Sequence, residues 1–215
     1  MTEYRDVVSL IKKETTDIWG LLFFPSLEPE VNNHRDGPTY NPGIRGFPNS
    51  DSNLEVVRTV VAKMGKRYKA CLEIGVEKHI GNSFTDILIK NKPRGSSYIG
   101  VDIEDKSYLD DAKSNVYTLQ CDSFDHESVR AFLDSKGISQ VDILFIDSKH
   151  SVYNVINDWR YADLLSPNGV VIVHDTNHHP GPIALCEAID PDMFEVTKLC
   201  TDENDYGIAV IRRRG

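Results

Sequence analysis

The stretch of residues 69–102 constrains the fold of this chain most strongly. It consists of an apolar run ending at Gly75, a short polar loop, an amphipathic segment from Phe84, and a second apolar run ending at Asp102. Glycine allows the backbone to approach a ligand closely, and an acid at the end of a parallel strand can accept both hydroxyls of a ribose. The stretch therefore predicts a strand, turn, helix and strand that form a nucleoside site.

The loop after Gly75 differs from the usual phosphate-binding loops. Val76 and Glu77 stand where the dinucleotide fingerprint G-x-G-x-x-G needs its second glycine, and the P-loop pattern G-x-x-x-x-G-K-[ST] does not occur in the sequence. The Glu77 carboxylate would oppose a pyrophosphate, so we expect a nucleoside without phosphates. An alternative interpretation is that the loop glycines only permit tight packing of strand against helix. The loop is closed by Gly81 and Ser83.

Length and composition limit the chain to one sizeable domain with an N-terminal appendage. We expect a helix and a Pro/Gly-rich lid in residues 1–52, and the domain in residues 53–215, of a chain of 215 residues. Residues 25–52 could equally be a flexible linker. The net charge of -9 disfavours a nucleic-acid partner, and no apolar run approaches the ~20 residues that a membrane span needs.

The four cysteines are scattered along the chain and show no C-x-x-C pair. They predict reduced thiols in a cytoplasmic compartment rather than a zinc site or a disulfide framework. The apolar N-terminal helix, with Phe23 and Phe24, could pack on its own sheet or on a second copy of the chain, so a homo-oligomer remains open.

Apolar strands and amphipathic helices alternate along residues 53–215. This order is typical of an α/β, Rossmann-like, doubly wound and mostly parallel sheet. The last two apolar segments, which begin at Phe194 and Gly207, are joined by a polar turn and predict an antiparallel C-terminal edge.

Acidic residues lie at or near the carboxyl ends of five predicted strands, where ligands bind in such sheets. A structural alternative for single members of this set is a helix N-cap, but that role is a poor account of all five. These residues are Glu73, Asp102, Asp122, Asp147 and Asp175.

Two later segments carry a resemblance to a known family. They are I-D-S-K-H-S-V-Y-N-V-I-N-D-W at 146–159 and L-L-S-P-N-G-V-V-I-V-H-D-T at 164–176. Together with E-I-G at 73–75, they resemble the class I S-adenosylmethionine-dependent methyltransferases. Within that class the pattern is similar to that of the small-molecule O-methyltransferases, both the catechol O-methyltransferase-like branch and the branch found in macrolide and cephalosporin gene clusters.

The resemblance implies roles for named residues. The cofactor would be held by Glu73, Gly75, Gly81 and Ser83 at its methionine end, by Asp102 at the ribose, by Asp122 and Ser123 at the adenine, and by Asp147 beside it. Asp147 and Asp175 would bind a divalent cation such as Mg²⁺, with Thr176 as the third ligand. His150, assisted by Asp147, would be the catalytic base.

Some positions depart from the family pattern. Thr176 stands where the catechol branch has asparagine, Asn177 comes one residue late, and His150 takes the place of the lysine base. His174 precedes a predicted metal ligand, and we expect it to pack beneath the site. The need for a metal is therefore less certain in this pattern than the need for the cofactor.

The leading hypothesis is methyl transfer from S-adenosylmethionine to a hydroxyl of a small molecule. A noncatalytic nucleoside-binding module is the first alternative. A nicotinamide-dependent oxidoreductase is the second, disfavoured by Glu77 and by the lack of a Tyr-x-x-x-Lys pair near the fourth predicted strand.

Overall fold

A computed structural model describes residues 51–77, 83–202 and 205–214. The predicted N-terminal helix, the lid through residue 50 and Gly81 lie outside these residues. The helices are α1 (Asp51–Met64), α2 (Phe84–Lys90), α3 (His126–Ser135), α4 (Val152–Trp159) and α5 (Pro180–Ala188). The strands are β1 (Ala70–Ile74), β2 (Ser97–Asp102), β3 (Val116–Gln120), β4 (Val141–Ile146), β5 (Leu165–His174), β6 (Phe194–Leu199) and β7 (Ile208–Arg213).

The strands form one seven-stranded sheet in the order β3-β2-β1-β4-β5-β7-β6. The first five strands along this order pair in parallel, and β7 is antiparallel to both of its neighbours. The predicted doubly wound fold is confirmed; the antiparallel C-terminal strand lies one position in from the edge, which is formed by β6. The strand order reverses between β1 and β4, the position where ligands bind in open α/β sheets.

Helices cover both faces of the sheet, so the central strands are buried on both sides. One apolar cluster packs α3, α4 and α5 on one face, and a second cluster packs α1 and α2 on the other. Strands β1 and β4 are buried along their whole length, which explains why they are apolar runs, each interrupted by one acid (Glu73 and Asp142), rather than alternating ones. This rigid centre fixes the loops that leave the carboxyl ends of β1, β2, β4 and β5.

All four cysteines are free thiols, as the sequence predicted. Among the helices in the described part of the chain, none has the length and apolar character needed to cross a bilayer.

Candidate active site

The turn after β1 lies directly against the turn after β4. Gly75 has a φ of +85°, and a Cβ at this position would lie 2.3 Å from the carbonyl oxygen of Asp147 and 2.7 Å from Cα of Ser148. A backbone hydrogen bond from Asp147 N to Ile74 O (3.0 Å) holds the two turns together, and one from Gly75 N to Val101 O (2.9 Å) ties the first turn to β2. Only glycine fits here, because both its conformation and the close contact exclude a side chain.

Asp102 lies at the end of β2, next to this turn. Its Oδ2 accepts a hydrogen bond from the backbone N–H of Val76 (2.8 Å), and its Oδ1 accepts one from Glu104 N (2.8 Å). The buried Lys106 places its Nζ 3.7 Å from Oδ2. The predicted ribose acid is therefore at the mouth of the first loop and is oriented by backbone donors.

Glu73 lies behind the first loop rather than on its surface. The side chain is buried and accepts hydrogen bonds from the hydroxyls of Tyr98 and Thr85. Burial raises the pKa of Glu73 to about 8, although these hydrogen bonds oppose the shift. Because Thr85 Oγ1 also accepts from the backbone N–H of Glu77 (3.1 Å), Glu73 supports the loop through Thr85.

Of the other residues predicted at the cofactor, Ser83 closes the first loop, and Asp122 and Ser123 lie in the loop after β3. Ser83 is buried and caps α2 by accepting from Asp86 N (3.1 Å). Asp122 is exposed and accepts from Phe124 N (3.0 Å), while the N-cap of α3 is Asp125. The helix-cap alternative therefore does not hold for Asp122.

Two acids and two histidines meet at the ends of β4 and β5. His150 Nε2 lies 2.7 Å from Asp175 Oδ2 and 3.5 Å from Asp147 Oδ1. On the other side, His174 Nδ1 lies 3.4 Å from Asp147 Oδ1 and 3.3 Å from Asp175 Oδ1. The structure thus brings the predicted base and both predicted metal-binding acids into direct contact.

The charges of this cluster shift one another's ionisation. Burial alone lowers the pKa of His150, but Asp175 and Asp147 outweigh it and raise that pKa to about 9. The same two acids hold the pKa of His174 well above its usual value, again against burial. Burial raises the pKa of each acid, yet the histidines bring both pKa values below the ordinary range. Ionised carboxylates paired with protonated imidazoles are therefore the stable form of this cluster at neutral pH.

Asp175 has a constrained backbone and an unusual environment. Its φ is +64°, a left-handed conformation that is uncommon outside glycine. The side chain is 1% exposed, yet neither carboxylate oxygen receives a hydrogen bond of good geometry from the described residues. The hydroxyl of Thr176, also buried, has no hydrogen-bond partner in the same part of the chain. Asp175 caps no helix, because the N-cap of α5 is His179.

Two overlapping groups of side chains could hold a metal ion. One is Asp147, His174 and Asp175, and the other is His150, Asp175 and His179; in each group the ligand atoms lie within 4.8 Å of one another. His174 packs beneath the site against Phe84, as expected, with a ring distance of 4.7 Å, but it also contacts both acids. His179, which the sequence did not mark as a metal ligand, stacks on His150 with a ring distance of 4.4 Å. Its position four residues after Asp175, at the start of a helix, was the available signal.

Asn177 has a structural role. Its side-chain amide donates to the carbonyl oxygens of Cys200 (2.8 Å), Asp202 (3.2 Å) and Asp205 (2.8 Å). The amide group therefore fastens the connection between β6 and β7 to the loop after β5.

The central part of the chain, which carries these strand-end residues, matches a known family by sequence. Residues 72–176 match the Methyltransf_24 family, described as a methyltransferase domain. No curated protein matches the chain by sequence.

Among solved structures, the chain is similar to the MycE methyltransferase from the mycinamycin biosynthetic pathway. In complex with Mg and SAH, that enzyme aligns with a TM-score of 0.58 and 16% identity, over 94% of this chain and 55% of that chain. Its complex with Mg, SAH and mycinamycin VI gives 0.55 and 15% over the same 94% and 55%. The chain thus spans about half the length of MycE, and this level of identity shows a shared fold. The motifs, the strand order and the family match agree: residues 72–176 match a methyltransferase domain, and the chain shares the fold of a methyltransferase.

Proposed function

We propose that this protein transfers the methyl group of S-adenosylmethionine to a hydroxyl oxygen of a small molecule. The observation that carries the proposal is the position of the cluster formed by Asp147, His150 and Asp175. The backbone of Asp147 lies directly against Gly75 in the first turn, and His150 contacts Asp175. The candidate base His150 and two carboxylates therefore lie beside the loop expected to hold the methyl donor. The Mg and SAH bound to MycE support the same assignment.

The cofactor would lie across the carboxyl ends of the central strands. The Gly75 turn would receive its methionine end, with Glu73 and Ser83 shaping the loop from behind. Asp102 would accept the ribose hydroxyls, since its carboxylate already faces the first loop. Asp122 and Ser123 would border the adenine. This arrangement would place the sulfonium near Asp147.

Methyl transfer is an in-line displacement, so the protein must align donor and acceptor and remove a proton. The acceptor oxygen forms a bond to the methyl carbon, the bond from carbon to sulfur breaks, and the hydroxyl proton goes to His150. With its pKa near 9, His150 holds a proton at neutral pH while both acids face it. It can act as a base only where its contact with these acids is relieved.

The donors of the cluster fit a divalent cation. Asp175 is a buried carboxylate without a well-formed hydrogen bond from the described residues, and the Thr176 hydroxyl beside it in sequence is likewise unbonded there. Asp147 and Thr176 complete an oxygen set that suits Mg²⁺. A bound cation would lower the pKa of an acceptor hydroxyl. Its positive charge would also take over from His150 as the partner of Asp175.

The first experiment measures binding of S-adenosylmethionine, S-adenosylhomocysteine and NAD by calorimetry, with and without Mg²⁺. We expect the two adenosyl ligands to bind and NAD not to bind. Asp102→Ala should weaken adenosyl binding by about tenfold or more, because a charged hydrogen-bond acceptor is lost. Asp105→Ala, at an exposed acid three residues later, is the matched control. Binding of NAD alone would favour the oxidoreductase alternative.

The second experiment tests catalysis. Release of S-adenosylhomocysteine is followed with a panel of phenols, sugars and macrolides as acceptors. His150→Gln should lower the rate by about 10²-fold or more while cofactor binding persists. Lys149→Gln removes a positive charge from the exposed neighbouring residue and should leave the rate unchanged. Equal rates for wild type and His150→Gln would contradict the assignment of the base, and binding without any turnover would favour a noncatalytic module.

We also propose a cytoplasmic location, which the four free thiols support. Small molecules rather than nucleic acids or membranes would be the partners, in keeping with the net charge of -9. Cell fractionation and size-exclusion chromatography test the compartment and the association with a second copy.

A further inference from the structure

A buried carboxylate outside the acid and histidine cluster is left unexplained by the proposed chemistry. Asp158 lies on α4 and is 0% exposed. Its Oδ2 accepts a hydrogen bond from the hydroxyl of Ser148, and the amide of Asn157 lies 3.5 Å from its Oδ1. Burial raises the pKa of Asp158 to about 6, against hydrogen bonds from Ser123, Ser148 and Asn157. A carboxylate buried without an opposite charge is costly, so its contacts indicate what it does.

The first contact ties Asp158 to the turn that carries Asp147. Ser148 follows Asp147 directly, and its Cα is one of the atoms that a Cβ on Gly75 would strike, at 2.7 Å. The position of the first turn therefore depends on the position of Ser148. Asp158 holds the Ser148 side chain by a hydrogen bond, and Ser148 contacts the Gly75 turn. Asp158 therefore supports the turn after β4 directly and the turn after β1 through Ser148.

The second set of contacts ties the same helix to the loop after β3. The carbonyl oxygen of Ser123 accepts from the hydroxyl of Tyr161 (2.7 Å) and from the amide of Asn157 (3.3 Å). The ring of His126 stacks on Tyr161 at 4.5 Å, and its Nε2 lies 2.9 Å from Asn157 Oδ1. The loop predicted to border the adenine is thus bonded to the residues around Asp158.

We propose that Asp158 is a positioning residue for the adenosyl cofactor, holding the loops after β3 and β4 at the spacing that the nucleoside requires. This inference rests on the proposed function, because it assumes that the cofactor lies between these loops. Asp158 touches neither the cluster of acids and histidines nor the expected position of the methyl group. Its loss should therefore weaken cofactor binding more than it slows the chemical step.

The test compares the binding of S-adenosylhomocysteine by four forms of the full chain. Asp158→Ala should raise Kd by about tenfold or more, since it removes the acceptor for the partly buried hydroxyl of Ser148. Asp158→Asn keeps an oxygen for Ser148 and should restore most of the affinity. Asp163→Asn is the control. Asp163 is an exposed acid just beyond the same helix, and among the described residues its ion pair is with Arg130. The control variant should bind like wild type.

Kinetics separate positioning from a general loss of structure. Asp158→Ala should raise the KM for S-adenosylmethionine by a larger factor than it lowers kcat. If this variant does not fold, Ser148→Ala breaks the same hydrogen bond and should raise Kd in the same direction. Unchanged Kd in both folded variants would overturn the inference while the proposed function stands. Absence of binding to wild type would overturn the proposed function and this inference together.

Discussion

Asp175 Oδ2 lies 2.7 Å from His150 Nε2, although the two residues belong to loops that follow different strands. Strands β4 and β5 are parallel neighbours in which Ile146 pairs with Val173, so the residues just beyond each strand meet. A short ion pair between a buried carboxylate and a largely buried imidazole results. It makes the ionisation of His150 part of the stability of the fold.

The His150 ion pair predicts a pH-dependent cost for His150→Gln. The pKa of His150 is about 9 in the folded state and 6.5 in the unfolded state. The ion pair therefore stabilises the fold fully below pH 6.5, and this stabilisation is lost as the pH rises through 9. The free energy of unfolding lost by the variant should be larger at pH 6 than at pH 10, by up to about 3 kcal/mol. Urea denaturation at both pH values measures this difference. A cost independent of pH would contradict it.

Glu73 predicts a pH dependence in another window. The pKa of Glu73 is about 8 in the folded state and 4.5 in the unfolded state. The protonated side chain therefore makes its full contribution to the free energy of unfolding below pH 4.5, and this contribution is lost as the pH rises through 8. Glu73→Gln stays neutral, so its stability relative to wild type should increase with pH, by at most about 1.4 kcal/mol per pH unit. Denaturation of both proteins at pH 5 and pH 8 tests this expectation, and a constant difference would refute it.

Two glycines with the same φ allow strain and steric contact to be separated. Gly75 and Gly95 both have a φ of +85°, but a Cβ added at Gly75 would strike backbone atoms, whereas one added at Gly95 would meet nothing within 4 Å. Gly95→Ala should cost about 1–2 kcal/mol from the left-handed conformation alone. Gly75→Ala should cost about 1–3 kcal/mol more, because the turn after β4 must move. Urea midpoints give the two costs, and equal values would show that the turns are not in rigid contact.

Asn177 predicts a loss of stability rather than of metal binding. Asn177→Ala removes the amide whose two hydrogens are shared among three backbone carbonyls, which should lower the free energy of unfolding by about 2–4 kcal/mol. The affinity of the folded variant for Mg²⁺, measured by calorimetry, should stay within about threefold of wild type. A selective loss of Mg²⁺ binding in a stable variant would make Asn177 a ligand instead.

The order of strands and helices was readable from the sequence because it depends on residues that follow one another. Apolar runs such as Val141 to Ile146 must be strands buried on both faces, and glycine at position 75 marks the first turn. The acids at the strand ends follow from the same local pattern. Which acids would face one another depended on strand order and register.

The sequence by itself determined the fold class, the first turn at Gly75 and the positions of Asp102, Asp147 and Asp175 at strand ends. Only the tertiary structure decided that Glu73 lies behind the loop, that Asn177 binds carbonyl groups, and that Asp158 joins the loops after β3 and β4. The reason is that local periodicity specifies elements, whereas contacts between side chains distant in sequence arise only when the packed sheet brings strand ends together.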